Sequence, residues 1–455
     1  MLKSTVHGHS FARLTNYLRS LASKSRLSIM AACSVLLIQN AYCQDSLRNS
    51  IAGDAAAAAA AKGQAAMLDN YTYKAGDFRL LAVPSIEMDW NDNINVSQSG
   101  IQQSDFILKP LVQLTGMYPL TQRNVLSVSA GIGYDEYIEH SQYSGLAINS
   151  GSGLSFDTYI KDVLIDLHDR FQYSQDPTVQ AAVANTANYG GLNNSAGVTI
   201  TWDLEDVTLT LGYDHQNYIS SSSEFTQQNH SSELPLARAG LKLNPDLTIG
   251  VEGSASYTTY DEAVLNNNQN YSAGLYADWK IGDYFDVQPR AGYLIYQFDH
   301  TSQSTQIPYF IGQPPPPGGT IQTADLSSWY ANLTMSHQVS SVVTYTLTAG
   351  HEIQPGIASD AIEDSYVRPS LQLALIKDVT FSLGVSYEHG QQGVGNVTGN
   401  LTETFDTTAA TFSTSYALMK KLSLSLHYNY TIRSSGLANG AYTQNLVGLQ
   451  MTYNL

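Results

Sequence analysis

Two short runs in this chain, His230-Ser231-Ser232 and His300-Thr301-Ser302, set a histidine two residues from a hydroxyl. On an extended backbone that spacing puts both groups on one face, where an imidazole can act as general base toward a serine nucleophile. Neither run has an identifiable third group to orient the histidine. The surrounding stretches are also so rich in Ser and Thr that such pairs arise by chance, so no enzyme is expected. Metal chemistry is as thinly supported. The eleven histidines are scattered with no close pair at ligand spacing. Asp360, Glu363 and Asp364 offer oxygens to Ca2+ but lack a recognisable calcium-loop pattern. Both cysteines, Cys33 and Cys43, fall in the N-terminal segment, which leaves the remainder without a disulfide or thiolate site. No cofactor is implied.

What remains is a population of separated charges. The acids Glu87, Asp89, Asp166, Glu252, Asp278, Asp286 and Glu388 and the bases Arg170, Arg238, Lys242, Lys280, Arg290 and Arg368 fall on the polar faces of alternating segments. With Tyr159, Tyr276, Tyr284 and Tyr296 they are the candidate lining of a watery interior. Adding Asp105, Asp135, Asp157, Asp203 and Asp214, and Arg79, Lys109 and Arg433, gives twelve acids against nine bases. That excess supports at most a weak cation preference, and such mixed walls commonly form salt-bridge networks. The tyrosines suit stacking on sugar rings as well as ordinary filling. Arg238, Lys242, Lys280, Arg290 and Arg368 lie near one arc, where bases could meet an acidic glycan.

The segments that carry these residues alternate in polarity. Val447, Leu449, Met451, Tyr453 and Leu455 share one face of the last segment, against Gly448, Gln450, Thr452 and Asn454. An apolar row with polar neighbours suits a strand with lipid on one side and water on the other. Leu422, Leu424, Leu426, Tyr428 and Tyr430 repeat the pattern, as do Val379, Phe381, Leu383, Val385 and Tyr387. Eight short turns stand out, at Pro119-Gln122, Lys161-Asp162, Leu204-Glu205, Asn244-Asp246, Ile281-Asp283, Gln338-Ser340, Lys377-Asp378 and Lys420-Lys421. Long polar stretches rich in Ser, Asn, Gln and Gly separate them. Eight turns join sixteen strands, and the first and last strands bring the number to eighteen. The expected fold is all-β, a transmembrane antiparallel up-and-down barrel with short periplasmic turns and long outer loops. A soluble sandwich explains neither the loop asymmetry nor the last strand. Helical spans are excluded outside the N-terminus, because no stretch of about 18 apolar residues occurs there. A net charge of -17 argues against nucleic acid. Pro84, Pro110, Pro235, Pro289 and Pro369 fall inside strands, where a missing ladder donor leads us to expect bulges.

The N-terminal segment reads as an export signal over residues 1–43. Lys3, Arg13, Arg19, Lys24 and Arg26 precede a short apolar stretch from Leu27 to Ile38, with cleavage expected after Cys43. Residues 44–77 are not strand-like and contain a seven-alanine run, Ala55 to Ala61. They would serve as a flexible leader, as a handle for a periplasmic export partner, or as a plug. Residues 78–455 form the barrel.

Pro84-Ser85-Ile86 leading to Trp90-Asn91-Asp92-Asn93-Ile94, then Ser104-Asp105-Phe106 and Lys109-Pro110, resembles the opening of the Putative beta-barrel porin 2 family. The last strand also resembles the C-terminal signature read by the outer-membrane assembly machinery, with Leu455 where Phe is usual. These resemblances imply an outer-membrane barrel in contact with lipid. Some members of the family accompany exopolysaccharide synthesis and secretion, which implies a conduit for polysaccharide or polar solutes. No ligand residues come with the family motif. Small inward residues, such as Ser127, Ser129, Gly131 and Gly133, or Ser382, Gly384 and Ser386, are expected to keep the bore open. The competing expectation is a plugged structural or surface-binding barrel.

Overall fold

The computed structural model describes residues 71–121, 123–302, 323–357, 359–395 and 402–455. A three-residue strand, β1 (Tyr73–Ala75), turns through Gly76 onto β2 (Phe78–Asn91). Part of the segment expected to be free of strand is therefore a short hairpin arm. Next come β3 (Asp105–Pro119), β4 (Val125–Tyr137), β5 (Gly145–Ile160), β6 (Val163–Ser174), β7 (Gly191–Asp203) and β8 (Val207–Ser220). They are followed by β9 (His230–Asn244), β10 (Leu247–Tyr260), β11 (Asn268–Ile281), β12 (Phe285–Phe298), β13 (Leu326–Ser340) and β14 (Val343–Pro355). The last are β15 (Ala361–Ile376), β16 (Val379–Gln392), β17 (Glu403–Met419), β18 (Leu422–Ser435) and β19 (Tyr442–Tyr453). Each strand from β2 to β19 pairs antiparallel with its sequence neighbours, and β19 returns to β2. The sheet closes on itself as an eighteen-stranded barrel.

Period-two alternation sorts the side chains. Ile86, Met88 and Trp90 of β2 are exposed on the outside, while the alternate residues Asp89 and Asn91 are buried inside. Val447, Leu449, Met451 and Tyr453 of β19 and the following Leu455 are likewise exposed on the outer face. Aromatic rings gather on that face at two levels. Trp90, Phe106, Tyr213, Tyr271, Trp329 and Tyr387 lie toward the long loops, and Tyr118, Trp202, Trp279, Tyr416 and Tyr453 toward the short turns. Rings with a polar edge at both limits of an apolar band suit the two interfaces of a bilayer. Just beyond the loop-side level, Glu233 accepts from Tyr213 and pairs with His215 at 2.9 Å. Asp406 does the same with Tyr387 at 2.6 Å and His389 at 2.8 Å.

The prolines do not produce bulges. Pro110, Pro235, Pro289 and Pro369 each interrupt pairing with one neighbouring strand, and the register resumes unchanged beyond them. Each lost donor is absorbed on one side while the other side of the strand stays paired. Pro84 marks the end of the closing seam, whose register runs only from Leu446–Asn91 to Thr452–Ser85. Below it, Thr72 bridges the gap, accepting from Ala82 N at 3.0 Å and donating to Leu455 O at 3.2 Å. The chain thus enters and leaves the barrel at its short-turn end. Five turns also have other bounds than expected, since the links after β3, β7, β9, β11 and β13 span residues 120–124, 204–206, 245–246, 282–284 and 341–342.

Candidate functional site

The inner wall is built from long polar side chains lying sideways over glycines. Glu252, Gly274, Gly292 and Tyr330 stand in one row across four strands. With no side chains between them, Tyr330 lies flat and donates to Glu252 Oε1 at 3.2 Å. Arg238 donates to Glu252 Oε2 at 3.0 Å, and Arg290 Nη1 lies 3.8 Å from the same oxygen. Tyr276 covers Gly250 and Gly240, with the Arg238 guanidinium 4.4 Å from its ring centre. Tyr366 covers Gly350, takes a hydrogen bond from Asn332 at 2.9 Å, and carries Arg368, which pairs with Glu388 at 3.1 Å.

The same device joins histidine to aspartate twice. His168, Gly197 and Asp214 are in register, and His168 Nε2 meets Asp214 at 3.0 Å. His427, Gly448 and Asp89 are in register across the seam, and His427 Nε2 lies 3.3 Å from Asp89. Glu87 completes a group of three metal-capable side chains that sequence spacing did not reveal. The Lys109 ammonium stands 2.7 Å from Asp89 and supplies the positive charge there.

The other candidates are less central. Asp166 and Arg170 approach only to 4.0 Å, and Lys242 pairs with Asp203 at 2.6 Å. Lys280 and Asp286 oppose each other in register near the short turns, and Asp278 opposes Thr248. Tyr296 is buried and stacks on Phe298 at 5.9 Å. Tyr159 and Tyr284 are exposed at the short-turn end, with Tyr284 in the turn itself. The histidine–hydroxyl runs do not form dyads. His230 bonds Gln228 O and packs between Tyr218 and Tyr260, while Ser232 bonds Thr258. Ser302 bonds Val264 O. Asp360, Glu363 and Asp364 diverge, since Asp360 ties loops together while Glu363 turns to His351.

The long loops hold what sequence reasoning missed. Val96, Ala182, Val183, Tyr189, Phe225 and Ile357 come from four different loops and form one buried apolar cluster with Ile362, Phe405 and Tyr442 of the wall. The loop at 175–190 leaves β6 and β7 yet reaches β18, where Arg433 donates to Ala181 O at 2.8 Å and Ala182 O at 3.3 Å. Asn185 also reaches Asn439 O at 2.6 Å. From the far side Gln228 bonds Ile357 O at 3.2 Å. The loops thus meet across the loop end of the bore. A second node joins three loops at the buried Asp360, which accepts from Asn266 N at 2.8 Å, Asn266 Nδ2 at 2.7 Å and Thr323 at 2.5 Å. Burial pushes this carboxyl above the usual carboxylate range.

The Asp92-Asn93-Ile94 triplet sits at the seam. Asp92 accepts twice from Asn445 at 2.7 Å, and Asn93 Nδ2 donates to Thr443 O at 2.8 Å. Gln444 donates back to Asn93 O at 2.9 Å. The motif fastens the first outer loop to the last strand.

Residues 68–290 match the family model described as Putative beta-barrel porin 2. Over that span the chain resembles this family. Its relatives are porins rather than enzymes, and this chain is an outer-membrane β-barrel channel. Solved structures of similar fold include OpdL from Pseudomonas aeruginosa, at 12% identity and TM-score 0.45, covering 84% of this chain and 99% of that one. OccAB3 from Acinetobacter baumannii gives 9% identity and TM-score 0.45 over 83% and 99%. OccK2 from Pseudomonas aeruginosa, solved in complex with glucuronate, gives 9% and 0.44 over 83% and 98%. No curated protein matches the chain.

Proposed function

We propose that this porin is a passive conduit for glycans or other polar solutes. The observation that carries the reading is where the lumen side chains go. Among the described residues, the inward ion pairs join strands at most two apart, and Tyr330 reaches three. The charges are thereby drawn along the wall, and only loops cross the bore. The short-turn half is lined by small hydroxyls such as Ser129, Thr346, Ser370, Ser415 and Ser425, which bond one another or Gln113. Gly384 has little above it, whereas Gln113 and Asn149 cover Gly131, so the two small-residue stretches are not equivalent.

The apolar loop cluster favours a second reading, a barrel closed by its own loops that serves a structural or surface role. We further propose that residues 1–43 are an export signal, that 44–77 form a periplasmic leader, and that the row ending at Leu455 is the assembly signal. Residues 1–70 lie outside the described residues. Conductance of the purified mature chain in a planar bilayer, with and without residues 44–77, separates the readings. A conduit conducts in both forms, and conductance that rises on removing the leader assigns the plug to it. A folded, inserted barrel that stays silent in both forms favours the structural role.

A further inference from the structure

The nine long loops and eight short turns differ sharply in charge. The loops between barrel strands span residues 92–104, 138–144, 175–190, 221–229, 261–267, 299–325, 356–360, 393–402 and 436–441. They contain no Lys or Arg in 100 residues, against nine Asp or Glu. The eight turns supply 21 residues, with five Lys or Arg and six Asp or Glu. Residues 303–322 and 396–401 add no charged side chain, so every loop charge lies on a described residue. Glu139, Glu224, Asp261, Glu262, Asp299 and Asp325 are exposed at the mouth. Inside, two of the bases nearest that mouth are held by carboxylates, Lys109 by Asp89 at 2.7 Å and Arg433 by Glu403 at 2.7 Å, while Arg170 lies 4.0 Å from Asp166.

We infer that the outer mouth is a cation-concentrating vestibule, which draws in cationic polar solutes and turns away polyanions. The inference deepens the conduit reading and rests on it for passage, though not for binding at the mouth. No single carboxylate is a site. The effect is a summed field at a rim with no opposing cation, of the kind that raises local concentrations of oppositely charged solutes. An acidic glycan approaching from outside meets this field first, before the basic arc of the wall, whose arginines are already matched. Neutral glycans are indifferent to it.

The test compares the wild-type full chain with a variant in which the six exposed loop acids become their amides (E139Q, E224Q, D261N, E262Q, D299N and D325N). Five of these side chains stand outside the barrel wall and the loop nodes, and Asp325 accepts from Phe298 N at 3.1 Å, a bond that an asparagine oxygen also accepts, so folding, checked by heat-modifiable gel mobility, should be retained. Reversal potentials across a salt gradient should show cation selectivity in the wild type. The variant should lose roughly threefold or more of its cation-to-anion permeability ratio. The difference should shrink at about 1 M salt, where the screening length is about 3 Å. Separately, fluorescent hexa-arginine should bind the wild-type barrel in nanodiscs at low salt and bind the variant weakly, with hexa-glutamate binding neither. An anion-selective wild type, an unchanged ratio in the variant, or equal binding of the two peptides would overturn the vestibule. A silent barrel that still binds hexa-arginine through these acids would strike the conduit reading and leave the vestibule standing.

Discussion

Tyr330 reaches Glu252 only because Gly274 and Gly292 stand between them without side chains. A Cβ at Gly274 would collide with the Tyr330 hydroxyl and with the Ala291 carbonyl. We therefore expect Gly274→Val to lift the ring from the wall and to cost about 1–3 kcal/mol by overpacking. The loss would be read as a lower unfolding temperature in heat-modifiable gel mobility, and an unchanged midpoint would show that the ring has room to move. Asp360 makes a different residue-scale prediction. Its carboxyl is raised above the ordinary range because burial outweighs the three hydrogen bonds it accepts. A raised folded value means the folded loops bind the proton more tightly than the unfolded chain. The stability from that proton is complete at low pH and is lost as pH rises through the raised value. Closure at the outer mouth should therefore loosen as pH climbs past the normal carboxylate region near about 4. Loop-closure events in single-channel recordings should shorten over that window, and Asp360→Asn should flatten the trend. An equal slope in both proteins would remove Asp360 as the cause.

At the scale of elements, the strands were legible because lipid on one side and water on the other impose a period of two on every spanning segment. That periodicity gave eighteen strands. It could not give partners, which depend on register. Asp89 and His427 are 338 residues apart in sequence, and only the closure of β19 on β2 brings them together over Gly448. Nor could it foretell the prolines, since whether a missing donor bends a strand depends on whether its other side stays paired. The family triplet gains a physical meaning from the same seam. Pro84 ends the ladder early, and Asp92 and Asn93 fasten the loop end with hydrogen bonds to Asn445, Thr443 and Gln444. Bonds to a charged acceptor contribute roughly 1.5–3 kcal/mol each and neutral ones about 1. Replacing Asp92 and Asn93 by Ala should therefore destabilise closure by about 4–7 kcal/mol. The double variant should show faster unfolding in denaturant than a control such as Ser99→Ala, an exposed site in the same loop. Matching rates would mean that the seam does not depend on this clasp.

For the whole molecule, the question is how a wall built to keep its charges aside comes to have loops that meet over one end. The loops were read as polar and outward because Ser, Asn, Gln and Gly dominate them. Their scattered apolar residues are what turn them inward. Val96, Val183, Phe225 and Ile357 cannot each bury alone, but together they shield one another from water. Closure is thus a property of several loops at once, set on a barrel whose strands do not need it. The two layers should respond separately to mutation. Val96→Asp places an unpaired charge in the cluster, where Val96 is 0% exposed. An uncompensated buried charge costs about 3–5 kcal/mol, more than a few small apolar contacts supply, so the loops should part instead of burying it. The wall should keep its strand pairing, because none of its ladders passes through Val96. We expect single-channel conductance to rise while the unfolding temperature of the barrel changes little. A rise accompanied by a large fall in that temperature would mean that the loops and the wall fold as one unit. Unaltered conductance would mean that the solute path does not pass through the cluster at all.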